Sequence, residues 1–179
     1  MTGIFQEASP ISRAGLEDIG WRIRELLGFT KERWLPVPHI IEHMLPQLYG
    51  DDFVFRVEEI ADMGENHGFA DPNGCELVLR ADVYDGLVDG RGRDRMTAIH
   101  EMSHLILHRQ NRLFRRMREE PPPAFRDPEW QAKCLAGTTM MPIRLLEGSK
   151  TVSQIVEEFG VSDIAATYRL RQIGWRLPA

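Results

Sequence analysis

The sequence predicts an α+β fold in which a small antiparallel sheet packs on one long helix, followed by a helical C-terminal part. Three observations lead there. Before residue 50 and after residue 92, apolar side chains recur at the 3.6-residue spacing of amphipathic helices. Between Asp52 and Arg80 the pattern changes to short β-like runs, broken by the strong turn Asp71-Pro72-Asn73-Gly74. The composition, 42% hydrophobic and 27% charged over 179 residues, is that of an ordinary globular chain. A chain of this size hides about 70% of its unfolded surface and needs no disulfide staples.

The elements follow in order. Residues 12–27 read as a helix whose stripe is Leu16, Ile19, Ile23, Leu26 and Leu27, ended by Gly28. A connector with Trp34 and Leu35-Pro36-Val37-Pro38 leads to a second helix over about 38–48, facing inward through Ile40, Ile41, Met44 and Leu48. Phe53, Phe55 and Val57 would share one side of a strand, residues 64–70 form a second, and Cys75 to Arg80 a third, hairpinned to the second by the 71–74 turn. An edge of such a sheet can pair with an extended peptide through backbone hydrogen bonds. Gly90 and Gly92 break the chain before a helix over Arg93–His108, with Asp94 as its expected N-cap and Met96, Ile99, Met102, Leu105 and Ile106 on its apolar face. The arginine-rich stretch 109–120 and Pro121-Pro122-Pro123 read as a solvated connection, with the framing of a cleft as the other possibility. Asp127-Pro128-Glu129 opens a helix on which Glu129, Ala132, Ala136 and Met140 share a face. Residues 151–172 read as helix, Gly160 turn, helix, with Ser162 as cap. The expected division is 1–35 as N-terminal helix and connector, 36–147 as a core, and 148–179 as a helix-turn-helix-like segment.

The chemistry concentrates at His100-Glu101-Met102-Ser103-His104, an H-E-x-x-H motif. On a helix, residues four apart stand one above the other, so His100 and His104 can offer two imidazoles to one Zn²⁺. Glu101 lies beside the first ligand, placed to take a proton from the attacking water. A catalytic zinc site uses three protein ligands, and Glu129 is the best candidate third, since a carboxylate heading an apolar stripe needs a partner; the other reading of this position is an exposed first-turn Glu favoured by the helix dipole. Such a site beside a small sheet makes the expected fold zincin-like and the 36–147 core a zinc metallopeptidase. Hydrolysis also needs an oxyanion stabiliser, for which His67, Tyr84 and Tyr168 have suitable side chains. A second motif, His39-Ile40-Ile41-Glu42-His43, has the inverted H-x-x-E-H order. Pro46 follows closely and the motif lies opposite the apolar stripe, so it reads as a solvated face.

Net charge of −5 and pI near 5.7 argue against a general nucleic-acid or anionic-membrane binder. A DNA-binding regulator is nevertheless the rival reading, carried by residues 151–172, whose second helix offers Arg169 and Arg171 but also Asp163. Cys75 and Cys134 belong to no C-x-x-C pair and read as free thiols. No secretory signal or membrane span is visible, and the expected location is cytoplasmic.

From about Val37 to Gly174 the chain resembles the ImmA/IrrE family of zinc metallopeptidases. HEMSHLILH is similar to that family's zinc helix, with a trailing His at His108. EWQAKCLAGTTMMP resembles its second motif through Glu129, Ala132, Met141 and Pro142, and VSDIAATYRLRQIG its C-terminal signature. The resemblance implies His100, His104 and Glu129 as metal ligands and Glu101 as base. It also implies a protein substrate, often a helix-turn-helix repressor. Ser103, Lys133 and Leu135 stand where the family usually has Gly, Asn or Asp, and an aromatic. Lys133 cannot accept a hydrogen bond and so cannot orient a ligand as those short polar residues do. That departure is what supports a third reading, a non-catalytic, metal-stabilised binding module.

Overall fold

A computed structural model describes residues 3–108, 114–118, 120–149 and 151–175. The chain begins with β1 (Gly3–Glu7) and α1 (Arg13–Leu27), then α2 (Val37–His39), which continues through a π-helical turn (Ile40–Met44) into α3 (Leu45–Tyr49). β2 (Val54–Glu58), the short α4 (Ile60–Met63), β3 (Gly68–Asp71) and β4 (Glu76–Arg80) follow. Then come α5 (Ala81–Val88), α6 (Gly92–His108), β5 (Phe114–Arg118), α7 (Pro128–Met140), α8 (Ile143–Leu146), α9 (Val152–Phe159) and α10 (Asp163–Gln172). The architecture is α+β.

The three-stranded sheet is mixed, not antiparallel as the sequence suggests. Its order is β2-β4-β3, with β2 parallel to β4 and β3 antiparallel to it. The reason is burial. Leu77, Val78 and Leu79 of β4 are buried, so this strand takes the centre, while Val54, Val57 and Phe69 leave β2 and β3 as half-solvated edges. The 71–74 turn does close the β3–β4 hairpin, with Asp71 Oδ1 accepting from Asn73 N–H at 2.9 Å. A second, two-stranded sheet pairs β1 with β5 antiparallel, Gly3 opposite Arg118 and Glu7 opposite Phe114. Part of the stretch read as a solvated connection is therefore a strand; Arg109, Arg112 and Glu119 lie outside the described residues.

Two helix faces differ from the expected stripes. In α1 Leu26 is exposed, and the inward position is Arg24. Its carbonyl partners explain this: the guanidinium donates to Phe29 O and Thr139 O, both at 2.9 Å, and to Glu32 O. In the second helix, the π turn closed by Leu45 N–H to Ile40 O inserts one residue just ahead of Pro46. The face slips by one position, so Leu45 is buried and Leu48 is 47% exposed.

α6 and α7 form the centre of the molecule. They pack through Met102, Ala132 and Ala136, all buried, and the two alanines let the axes approach. α1 lies along α7 at Gly20, where a Cβ would sit 2.3 Å from Thr138 Oγ1. α6 begins at Gly92, two residues before the expected cap Asp94. A Cβ at Gly92 would meet the Val161 carbonyl carbon at 2.3 Å, so only glycine lets the helix start against the α9–α10 turn. Two further buried arginines tie the ends of the chain to this centre. Arg95 donates to Gly160 O at 2.7 Å and Leu35 O at 2.8 Å, with Trp34 stacked 4.0 Å from its guanidinium. Arg169 donates to Met141 O at 3.0 Å and to both carboxylate oxygens of Glu17, at 2.5 and 2.8 Å.

Candidate metal centre and substrate cleft

His100 and His104 stand one turn apart on α6, and Glu129 opens α7 across from them. Asp127 caps α7 by accepting from Glu129 N–H at 2.9 Å, which fixes the first turn that carries the carboxylate. Glu129 Oε2 lies 3.3 Å from His100 Nε2, Glu129 Oε1 lies 3.2 Å from His104 Nε2, and the two Nε2 atoms are 3.2 Å apart. Glu129 is not buried at the head of the apolar stripe as expected: its side chain is 68% exposed, so what marks it is convergence and not desolvation.

The donor types, two imidazoles and a carboxylate, suit zinc. One ligand atom from each residue lies within 4.8 Å of the others, and the two carboxylate oxygens of Glu129 face one imidazole each. Proton placement points the same way. Gln131 is fully buried, and its amide nitrogen donates to Ser9 O and Phe125 O, both at 2.8 Å, so its Oε1 is the acceptor facing His108 Nε2 at 3.3 Å. His108 therefore carries its proton on Nε2, and its bare Nδ1 faces His104 Nδ1 at 3.2 Å. His104 then holds its proton on Nδ1, leaving a lone pair on Nε2 that confronts a carboxylate oxygen. A cation between them removes that repulsion. Among the described residues this is the one group of three or more His, Cys, Asp or Glu side chains that could hold a metal ion.

Titration behaviour follows from the same contacts. Burial pushes the Glu101 carboxyl above the ordinary range, against the pull of His100 and His104. Burial, with His104 beside it, pushes His108 down to about 4, so the relay histidine is neutral near pH 7. Cys75 and Cys134 are buried and in no disulfide, and burial raises the Cys134 thiol to about 11, keeping it protonated near neutral pH.

Two clefts meet at the centre. One, of about 370 Å³, is lined by Phe69 and Ala70 of β3, Gln6 of β1, His100, Glu101, His104 and Glu129. The edge strand thus runs along the site. It comes so close at Gly68 that a Cβ there would lie 2.8 Å from Glu101 Cγ. The other, of about 440 Å³, runs from His100 and Glu101 past His67, Arg93 and Lys133. Of the oxyanion candidates, Tyr84 donates to Glu42 at 2.7 Å, Tyr168 lines a neighbouring pocket against α10, and His67 shares a groove with Glu101. Lys133 also faces the grooves and bonds to none of the three ligands.

The remaining motifs stand apart from the site. His39 and His43 are exposed and Glu42 is held by Tyr84, so the inverted motif is a solvated face. α9 and α10 form the expected helix-turn-helix outline, capped by Thr151 and Ser162 around left-handed Gly160. Arg169 is buried against Glu17, which leaves Arg171 alone of the two cations facing solvent. Sequence reasoning did not find Gln131, Arg93 or the Arg80–His67 pair, because their roles exist only once distant elements meet.

Compared with known families, residues 89–171 match the family described as the IrrE N-terminal-like domain, a peptidase family, and the matched stretch contains His100, Glu101, His104 and Glu129. Among curated proteins the chain has no match. No described helix is long and apolar enough to cross a membrane.

Proposed function

We propose, from the match of residues 89–171 to the IrrE N-terminal-like peptidase family, that this chain is a zinc-dependent metalloendopeptidase acting on a specific protein. The substrate class we infer is a transcriptional repressor of helix-turn-helix type, met in the cytoplasm. One observation carries the reading: His100, His104 and Glu129 each bring a ligand-capable atom within 4.8 Å of the other two, and Glu101 lines the same cleft.

His100 Nε2, His104 Nε2 and Glu129 would hold the zinc, which when bound supplies the Lewis acidity that activates a water and polarises the scissile carbonyl. The rest is the work of the chain. Glu101 takes the proton of the attacking water on a carboxylate oxygen and returns it to the leaving amine nitrogen. Its raised pKa suits that exchange, because a base nearer neutrality can also act as the acid. β3 offers its free edge to an extended substrate, whose backbone then lies along the cleft as an added strand. The Gln131–His108 relay keeps the His104 lone pair pointed at the metal position.

Three measurements test this. Purified protein should hold one equivalent of zinc, and His100→Ala should lose it. Glu101→Gln should keep the metal and lose cleavage. Incubation with repressors encoded beside the gene should yield one or few cuts; zinc bound by a protein that cuts none of them would favour a binding module.

A further inference from the structure

The groove leading away from Glu101 gathers hydrogen-bond donors that have nothing to donate to. At its wall His67 sits between two arginines: Arg80 approaches ring Nδ1 at 2.8 Å and Arg93 approaches Nε2 at 3.0 Å. A neutral imidazole accepts at one nitrogen only. Arg80 is buried and pinned, donating to Asp82 at 2.7 and 3.0 Å and to Gly64 O at 2.6 Å, and its backbone N–H also holds His67 O at 3.1 Å. Nδ1 is therefore the acceptor, and Nε2 carries the proton. Nε2–H then points at the Arg93 guanidinium, donor against donor, until an acceptor comes between them. Lys133 lines the same groove and has no hydrogen-bond or ion-pair partner among the described residues. Glu65, exposed at the rim, pairs with none of the three.

We propose that His67, Arg93 and Lys133 form a subsite for a substrate carboxylate, which accepts from His67 Nε2–H and Arg93 while Lys133 neutralises its charge. The proposal rests on the peptidase reading for what the carboxylate belongs to: an Asp or Glu side chain, or the free end of the substrate chain. Arg93 lies seven residues before His100, about 10 Å along α6. An extended peptide covers that in about three residues, so the acidic group lies two or three residues from the scissile bond. Lys133, a departure from the family's short polar residue, thereby becomes a feature of this chain's own specificity.

The test is binding to zinc-loaded Glu101→Gln protein, read by fluorescence anisotropy with three labelled nonapeptide pools that carry no other acidic residue. One has a fixed Glu and an amidated end, one a fixed Gln and an amidated end, and one a fixed Gln and a free carboxylate. Against the amidated Gln pool, the Glu pool should bind about five- to tenfold tighter if the side chain is the source, and the free-carboxylate pool if the chain end is. Lys133→Glu and Arg93→Gln, both at exposed positions, should abolish the preference, and His67→Ala should weaken it. Equal binding of all three pools, or a preference that survives Lys133→Glu, overturns the subsite. Wild-type zinc-loaded enzyme is scored in parallel for cleavage of the same pools. Carboxylate preference without cleavage keeps the subsite and removes the peptidase reading; cleavage without preference does the reverse.

Discussion

Buried or converging polar groups occur in two kinds in this molecule, and they differ in what is left over. Arg24, Arg95 and Arg169 are buried cations whose donors end on carbonyls or on Glu17. His104 Nε2 and the Glu129 carboxylate are acceptor facing acceptor, with His100 Nε2 beside them. A satisfied cluster holds structure together, and a cluster with a surplus of one sign is built for something that arrives later. The arginines join α1, the 29–35 connector and the α9–α10 turn to the central helices, and the surplus sits where those helices open to solvent.

The sharpest break of this contrast is removal of the proposed base, Glu101. Glu101→Gln keeps size and hydrogen-bonding capacity but cannot carry the proton, so turnover should fall by roughly 10²–10⁴. Melting temperature and zinc content should stay near wild type. A variant that still cuts would take Glu101 out of the chemistry altogether.

What the sequence made legible follows the same line. The residues of the candidate metal group were nameable because local spacing brings them forward: i and i+4 on one helix, and an Asp-Pro-Glu helix start on the next. The α1 boundary, the 71–74 turn and the α9–α10 outline were readable for the same local reason. The strand order was not, because which strand is central depends on what packs above β4. The β1–β5 pairing joins residues more than a hundred positions apart, and no short-range pattern announces it. Arg24 was invisible in its stripe, since an arginine looks solvent-seeking until three carbonyls from elsewhere surround it.

On the satisfied side, Arg95→Ala should cost about 2–4 kcal/mol. It strands the carbonyls of Gly160 and Leu35 and removes the cation stacked on Trp34. In a chain of this size that is a drop of roughly 5–15 °C in Tm. Lysine should not rescue it, because one ammonium cannot reproduce the two divergent N–H donors and the planar stack. Full rescue by Arg95→Lys would mean that charge alone matters there.

Between the two kinds stands the relay behind His104. Gln131→Leu removes the acceptor that sets the His108 tautomer, and so the proton position on His104. Zinc affinity should weaken about 10–100-fold, as it does when such outer partners are lost. Gln131→Glu, which keeps an acceptor oxygen, should recover part of it. A competition titration with a chromogenic chelator reads both, and unchanged affinity in the leucine variant would reduce the relay to packing.

The smallest expected effect is on pH stability of the metal-free protein, and it isolates His108. Its ordinary pKa is 6.5 and burial lowers it to about 4 in the fold. Below 6.5 the unfolded chain takes up a proton that the folded chain refuses, so stability falls as pH drops from 6.5 towards 4 and this contribution levels off below 4. The full shift corresponds to no more than about 3 kcal/mol, and adjustment around His104 will reduce it. His108→Gln has no proton to take up. The difference in unfolding free energy between wild type and this variant, followed by urea titration across that window, should therefore shrink steadily as the solution is acidified. Parallel curves would show that His108 is protonated as readily in the folded protein as in the unfolded chain, and the neutral relay that leaves His104 Nε2 bare would have to be abandoned.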